Sequence, residues 1–194
     1  RDWPVGTEYR VRYAIVDPTP KQLNEAGDEY PDAIREDGLA LSLLEDVEFP
    51  LFGVEGREDT VQSLFDFQFY DPRVRDWREA YGTARDVVAD AKTPYEAVVA
   101  LEEWFQQGTY DETADYSAAP NGPLPAFLLT PNRPGYCQMD AGAMAVLLRM
   151  LGIPARVAQG FTAGRADRER KRWTLTDAEA HAWVEVFFPG HGWV

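Results

Sequence analysis

Ala141, Met144, Ala145, Leu148 and Leu151 recur at three- and four-residue spacing, which commits their stretch to one helix with a single apolar stripe. Gly152 and Pro154 then punctuate its C-terminus. At the other end, directly after Pro134-Gly135-Tyr136, stands Cys137, the only cysteine in 194 residues. Further along, residues 181–188 alternate as a strand does. Ala182, Val184, Val186 and Phe188 share one face, and His181, Trp183, Glu185 and Phe187 share the other. A fold built on this sequence must pack that helix against that strand.

The two ends of those elements carry chemistry. A thiolate, not a thiol, is the nucleophile. The unpaired N–H groups of a helix's first turn favour an anion, and an imidazolium across a gap favours it again. A lone cysteine is more often a small core hydrophobe. Its place at a helix start, with a strand-borne histidine downstream, reverses that preference. The chain holds two histidines, and His191 lies in a Pro-Gly-His-Gly turn. His181 is therefore the candidate general base. A thiol at a helix N-terminus and a histidine on a strand make the minimal set for thiol acyl transfer or hydrolysis.

Composition removes other classes. With 45% apolar residues, the chain can bury a core in one domain, or in one domain with an appendage. A net charge of −14 argues against nucleic acid or an anionic membrane surface as partner. One cysteine precludes an intrachain disulfide, and with two histidines it builds no metal site, so neither metal nor cofactor is expected. No glycine-rich phosphate loop or Gly-x-Ser-x-Gly elbow occurs, and no repeat. No run reaches the length of a membrane span and no signal peptide is seen, and a start at Arg1 without methionine and an end inside a motif make the chain read as a soluble piece excised from something longer.

Along the chain, Val5, Tyr9, Val11, Tyr13 and Ile15 alternate as a strand that Pro18 and Pro20 end. Residues 24–60 read as acidic and irregular, with Phe49-Pro50-Leu51-Phe52 as an anchor to the core. Residues 61–69 and 73–91 read as partly helical. Thr93-Pro94-Tyr95-Glu96 is a capping-box pattern opening a helix whose Ala97, Leu101, Trp104 and Phe105 share one face, ending near Gly108. Residues 109–135 form a long connection expected to line a substrate groove. Strands are expected at 155–162 and 172–176. Between them Arg165, Arg168, Arg170, Lys171 and Arg172 make a basic run, either a solvated hairpin loop or a dock for an acidic peptide or cell-wall substrate.

Gly135-Tyr136-Cys137-Gln138, the run Leu148 to Val157, Gly160-Phe161, His181-Ala182-Trp183-Val184-Glu185-Val186 and Pro189-Gly190-His191-Gly192-Trp193 together resemble the transglutaminase-like catalytic core. More narrowly they resemble the bacterial membrane-anchored TgpA type. Tyr9 to Tyr13, Pro18 to Leu23 and Glu29-Tyr30-Pro31 resemble the segment ahead of that core. The resemblance implies an α+β, papain-like fold with the nucleophile at a helix N-terminus packed on an antiparallel sheet. It places a strand/helix extension at 1–92 and the catalytic core, truncated at its C-terminus, at 93–194. It implies a Cys-His-Asp triad with Cys137 as nucleophile and His181 as base, the aspartate lying beyond Val194. The oxyanion would be held by the N–H of Cys137 and a donor at Tyr136 or Gln138. The implied function is transamidation or hydrolysis of a peptide, protein or cell-wall substrate through a thioester. Flanking membrane segments and the extracytoplasmic face of a bacterial plasma membrane are implied as well. The alternative is a non-catalytic peptide- or cell-wall-binding module on the same fold. Met139-Asp140 departs from the family's usual histidine or aromatic pair, and Asp140 puts negative charge beside the thiol. Asp177 and Glu179 read as exposed turn residues ahead of the strand. Oligomeric state is not encoded in any of these features.

Overall fold

The computed structural model describes residues 16–41, 49–67, 71–169 and 172–194. The strand expected over 5–15 lies outside them. The helix of the apolar stripe is α7 (Cys137–Met150), and it is buried more widely than one stripe requires. Ala143, Leu147, Leu148 and Met150 are fully buried, and α7 touches helices on one side and the sheet on the other. It ends as its sequence demands. Gly152 takes φ +78°, its N–H bonds the Arg149 carbonyl at 2.9 Å, and the Ile153 N–H bonds that of Leu148 at 2.9 Å. This is a Schellman cap with glycine at the left-handed position.

Pro154 leads into β1 (Ala155–Phe161), which pairs antiparallel with β4 (Ala180–Phe188). β5 (Gly192–Trp193) pairs with the far edge of β4, giving the order β1-β4-β5. The buried face of β4 carries Ala182, Val186 and Phe188, with Val184 half-buried, and packs on α7. Helix and antiparallel sheet thus form the α+β core. The basic run lies in a separate hairpin of β2 (Arg165–Asp167) and β3 (Arg172–Thr174); Arg170 and Lys171 fall outside the described residues. Asp177–Glu179 form an exposed 3₁₀ turn ahead of β4, capped by Thr176.

The other side of α7 is covered by helices. α5 (Pro94–Gln106) starts at Thr93, whose hydroxyl accepts the Glu96 N–H at 3.2 Å. The Glu96 carboxylate accepts the Lys92 N–H at 2.7 Å, one residue short of a reciprocal capping box. Ala97, Leu101 and Phe105 are buried, and Trp104 packs against the core. α3 (Arg57–Phe67) and α4 (Pro72–Val87) fill the outer layer, and Phe49 anchors its segment at 2% exposure between the rings of Phe65 and Tyr81. Arg57 is buried with all three guanidinium nitrogens engaged, on the Pro50 carbonyl, the Met150 carbonyl, Glu58 and the Tyr81 hydroxyl. It ties the segment before α3 to the end of α7.

Two expectations need correction. Besides α1 (Pro20–Asn24), α2 (Asp32–Gly38) interrupts the stretch read as irregular. Only Gly38 of its residues is buried, so no apolar period betrays it; a Cβ there would stand 2.8 Å from that of Pro154. The connection 109–135 contains α6 (Pro123–Leu129), hidden in the sequence by two prolines. Pro123 sits in its first turn, where a missing N–H costs nothing, and Pro125, Phe127 and Leu128 are buried.

Candidate active site

Cys137 is the first residue of α7, so the N–H groups of its first turn point out of the helix toward the thiol. Its side chain is half-buried. The backbone ahead of it is clamped. The Gly135 N–H bonds the Thr109 carbonyl at 3.0 Å, and the Gly135 carbonyl accepts the Asp111 N–H at 2.7 Å. These two bonds form a parallel bridge between Tyr110 and Gly135. The Tyr116 hydroxyl donates to the Pro134 carbonyl at 2.9 Å. Arg133 stacks on Trp104, its Cζ 3.5 Å from the ring centre, and donates to the Trp104 carbonyl at 2.5 Å. Gly135 serves packing here, because a Cβ would lie 2.6 Å from the Phe127 ring. Asp111 and Asp115 close local turns onto Thr113 and Ser117, which holds their carboxyls below the usual carboxylate range.

His181 is the second residue of β4, paired in register with Gly160 and exposed. Its ring lies 6.5 Å from that of Trp183 at an interplanar angle of 22°. Trp183 in turn covers Gly160, where a Cβ would stand 2.9 Å from the indole. Gly160→Ala should therefore push Trp183 off the strand and with it the surface on which His181 rests. The expected result is an activity loss larger than the loss in melting temperature explains, read by comparing kcat with thermal unfolding.

Cys137 and His181 line one cavity of about 470 Å³ between α5, α7 and β4. Val98, Phe105, Met144, Val184 and Phe188 make much of its wall, with Glu102 and Asp140 as charged members. Tyr136 and Gln138 do not line it: Tyr136 is the helix N-cap without a side-chain bond, and Gln138 is exposed. Tyr110, a residue no sequence pattern singles out, does line it. It also lines a second cavity of about 350 Å³ on the other side of His181, together with Asp177 and Glu179. The Tyr110 hydroxyl donates to Glu112 at 3.1 Å, and that bond, more than the nearby Cys137 and Asp140, raises its pKa. No carboxylate hydrogen-bonds His181 among the described residues; Glu179 is engaged by the N–H and hydroxyl of Thr176. Burial pushes the Asp140 carboxyl up, partly offset by the charge of Arg133. Among the described residues no three His, Cys, Asp or Glu side chains converge as a metal site. No helix there is long and apolar enough to cross a membrane.

Residues 81–194 match the family profile of the transglutaminase-like superfamily, more than half of the sequence. The chain belongs to the transglutaminase-like superfamily. Over 134 residues it is 34% identical to a protein-glutamine gamma-glutamyltransferase of Pseudomonas aeruginosa, covering 64% of this chain and 20% of that protein. Over 64 residues it is 45% identical to the uncharacterized protein YebA of Bacillus subtilis, covering 31% of this chain and 9% of that protein. Among solved structures it is similar to the periplasmic domain of TgpA from Pseudomonas aeruginosa, with a TM-score of 0.52 and 32% identity over 64% of this chain and 46% of that one. The same domain bound to ethylmercury gives the same TM-score and identity over 60% and 42%. The chain thus spans less than half the length of each of these relatives.

Proposed function

We propose that this chain is the catalytic domain of a thiol-dependent acyltransferase, Cys137 being the nucleophile and His181 its base. The observation that carries the reading is the shared cavity: a thiol at the head of α7 and an imidazole at the start of β4 face one apolar space. The Cys137 thiolate attacks a carboxamide or peptide carbonyl carbon, forming a C–S bond. The backbone N–H of Cys137, which has no backbone acceptor among the described residues, stabilises the oxyanion. The His181 imidazolium gives its proton to the leaving nitrogen, the C–N bond breaks, and ammonia or an amine departs from the thioester. An incoming amine or water then attacks the thioester carbonyl, His181 takes its proton, and the C–S bond breaks to restore the thiolate–imidazolium pair. By the resemblance, an aspartate is the third member of the triad and orients His181. The resemblance supports an extracytoplasmic location, flanking membrane segments and a peptide, protein or cell-wall substrate.

One observation favours the second reading, a binding module without chemistry: the half-buried Asp140 carboxyl close to the thiol, which disfavours a thiolate. Turnover separates the two. With a glutaminyl peptide and a dansylated alkylamine, the chain should release ammonia and label the peptide, and Cys137→Ala should do neither. A wild-type rate equal to that of Cys137→Ala would leave only the binding module.

A further inference from the structure

We propose that Asp140 is a cation anchor inside the Cys137 cavity, selecting amine acceptors that carry a second positive charge at the end of an apolar shaft. The proposal rests on the acyltransferase reading above and adds to it which amines the site prefers.

Asp140 lies three residues after Cys137 on α7, so both side chains rise from one helix face about one turn apart. Both line the same cavity. The rest of that wall is mostly hydrocarbon from three elements: Val98 and Phe105 of α5, Met144 of α7, and Val184, Val186 and Phe188 of β4. Its carboxylates are Asp140 and Glu102, and no lysine or arginine lines it among the described residues.

Asp140 has no hydrogen-bond or ion-pair partner among the described residues, although it is half-buried. The cation whose charge reaches it, Arg133, lies flat on Trp104, donates to that residue's carbonyl and makes no bond to Asp140. Its field reaches Asp140 without a bond, and burial still outweighs it in raising the carboxyl's pKa. A carboxylate drawn out of water and left unpaired is unfavourable, and an ammonium arriving there recovers part of that cost. Glu102 stands on the α5 wall, exposed and accepting from the Gln106 amide at 3.3 Å, and adds to the negative potential. An apolar wall ending in an unpaired carboxylate fits a methylene chain ending in an ammonium.

In a bound diamine the anchored nitrogen keeps its protons and its charge. The other nitrogen, as free amine, attacks the thioester carbonyl carbon. His181 takes the proton released, the C–S bond to Cys137 breaks, and an amide forms.

The test compares 1,5-diaminopentane with 1-aminopentane, which has the same shaft and one charge fewer, as acceptors from a glutaminyl peptide. In the wild-type chain the KM of the diamine should be about tenfold lower, the size of one charge-assisted hydrogen bond. Asp140→Asn should bring the ratio of the two KM values close to one, and Asp140→Glu should keep most of it. Equal KM values in the wild type, or a ratio that Asp140→Asn leaves intact, overturns the anchor while leaving the acyltransferase standing. Cys137-dependent ammonia release without incorporation of either amine overturns the anchor alone, whereas absence of both overturns the acyltransferase reading itself, and the anchor with it.

Discussion

Replacing His181 by alanine is expected to slow acyl transfer by about two to four orders of magnitude, the range over which a positioned general acid–base acts. The imidazole is assigned two proton transfers, one to the departing nitrogen and one from the acceptor. Folding should hardly notice the change. His181 is exposed at the start of β4, and its backbone pairing with Gly160 does not depend on the ring. A small shift in melting temperature beside a large loss of turnover is therefore the expected pattern. Steady-state kinetics and thermal unfolding on the same preparation read both.

The largest expected effect on folding belongs to Gly152→Ala. Gly152 ends α7 at φ +78°, where an L-residue costs about 1 kcal/mol. Its Cβ would also overlap the Pro50 carbonyl oxygen and stand 2.7 Å from Leu51 Cα. That backbone has little room to withdraw. Phe49 is held between Phe65 and Tyr81, Arg57 bonds the Pro50 carbonyl at 3.2 Å, and the Phe52 N–H bonds the Gly152 carbonyl at 3.3 Å. Overpacking adds about 1–3 kcal/mol, so the total should reach about 3 kcal/mol. Gly53→Ala is the matched comparison. It has φ +80° but open space where its Cβ would go, so it should show the backbone cost alone. Urea unfolding of the two variants should separate them clearly; equal losses would mean the 49–52 segment yields and does not anchor α7.

Much of this arrangement is legible in the sequence because α7 and β4 are regular and buried. Their periods of about 3.6 and 2 are imposed by the packing that the structure shows. The cysteine and histidine stand out because each is nearly unique in the chain. What the sequence conceals is held together by nonlocal geometry. α6 is short, carries two prolines and is recognised only by the burial of Phe127 and Leu128 under α7. Gly135 looks like a loop glycine, and its need for no side chain arises from Phe127, eight residues earlier. Tyr110 reaches the site through a single bridge to Gly135, which leaves no periodic trace. Asp140 reads as a first-turn acid suited to the helix dipole. Only the fold shows that it is half-buried, lines the Cys137 cavity and makes no bond to Arg133, which lies on Trp104.

The central claim is that Cys137 and His181 work as a pair. The rate of iodoacetamide alkylation of Cys137 at pH 6, in the wild-type chain and in His181→Ala, tests it most directly. A paired thiolate should alkylate rapidly at that pH and should lose most of that rate in the alanine variant. Equal, slow rates in both proteins would contradict the pairing and leave Cys137 an ordinary thiol at the head of a helix.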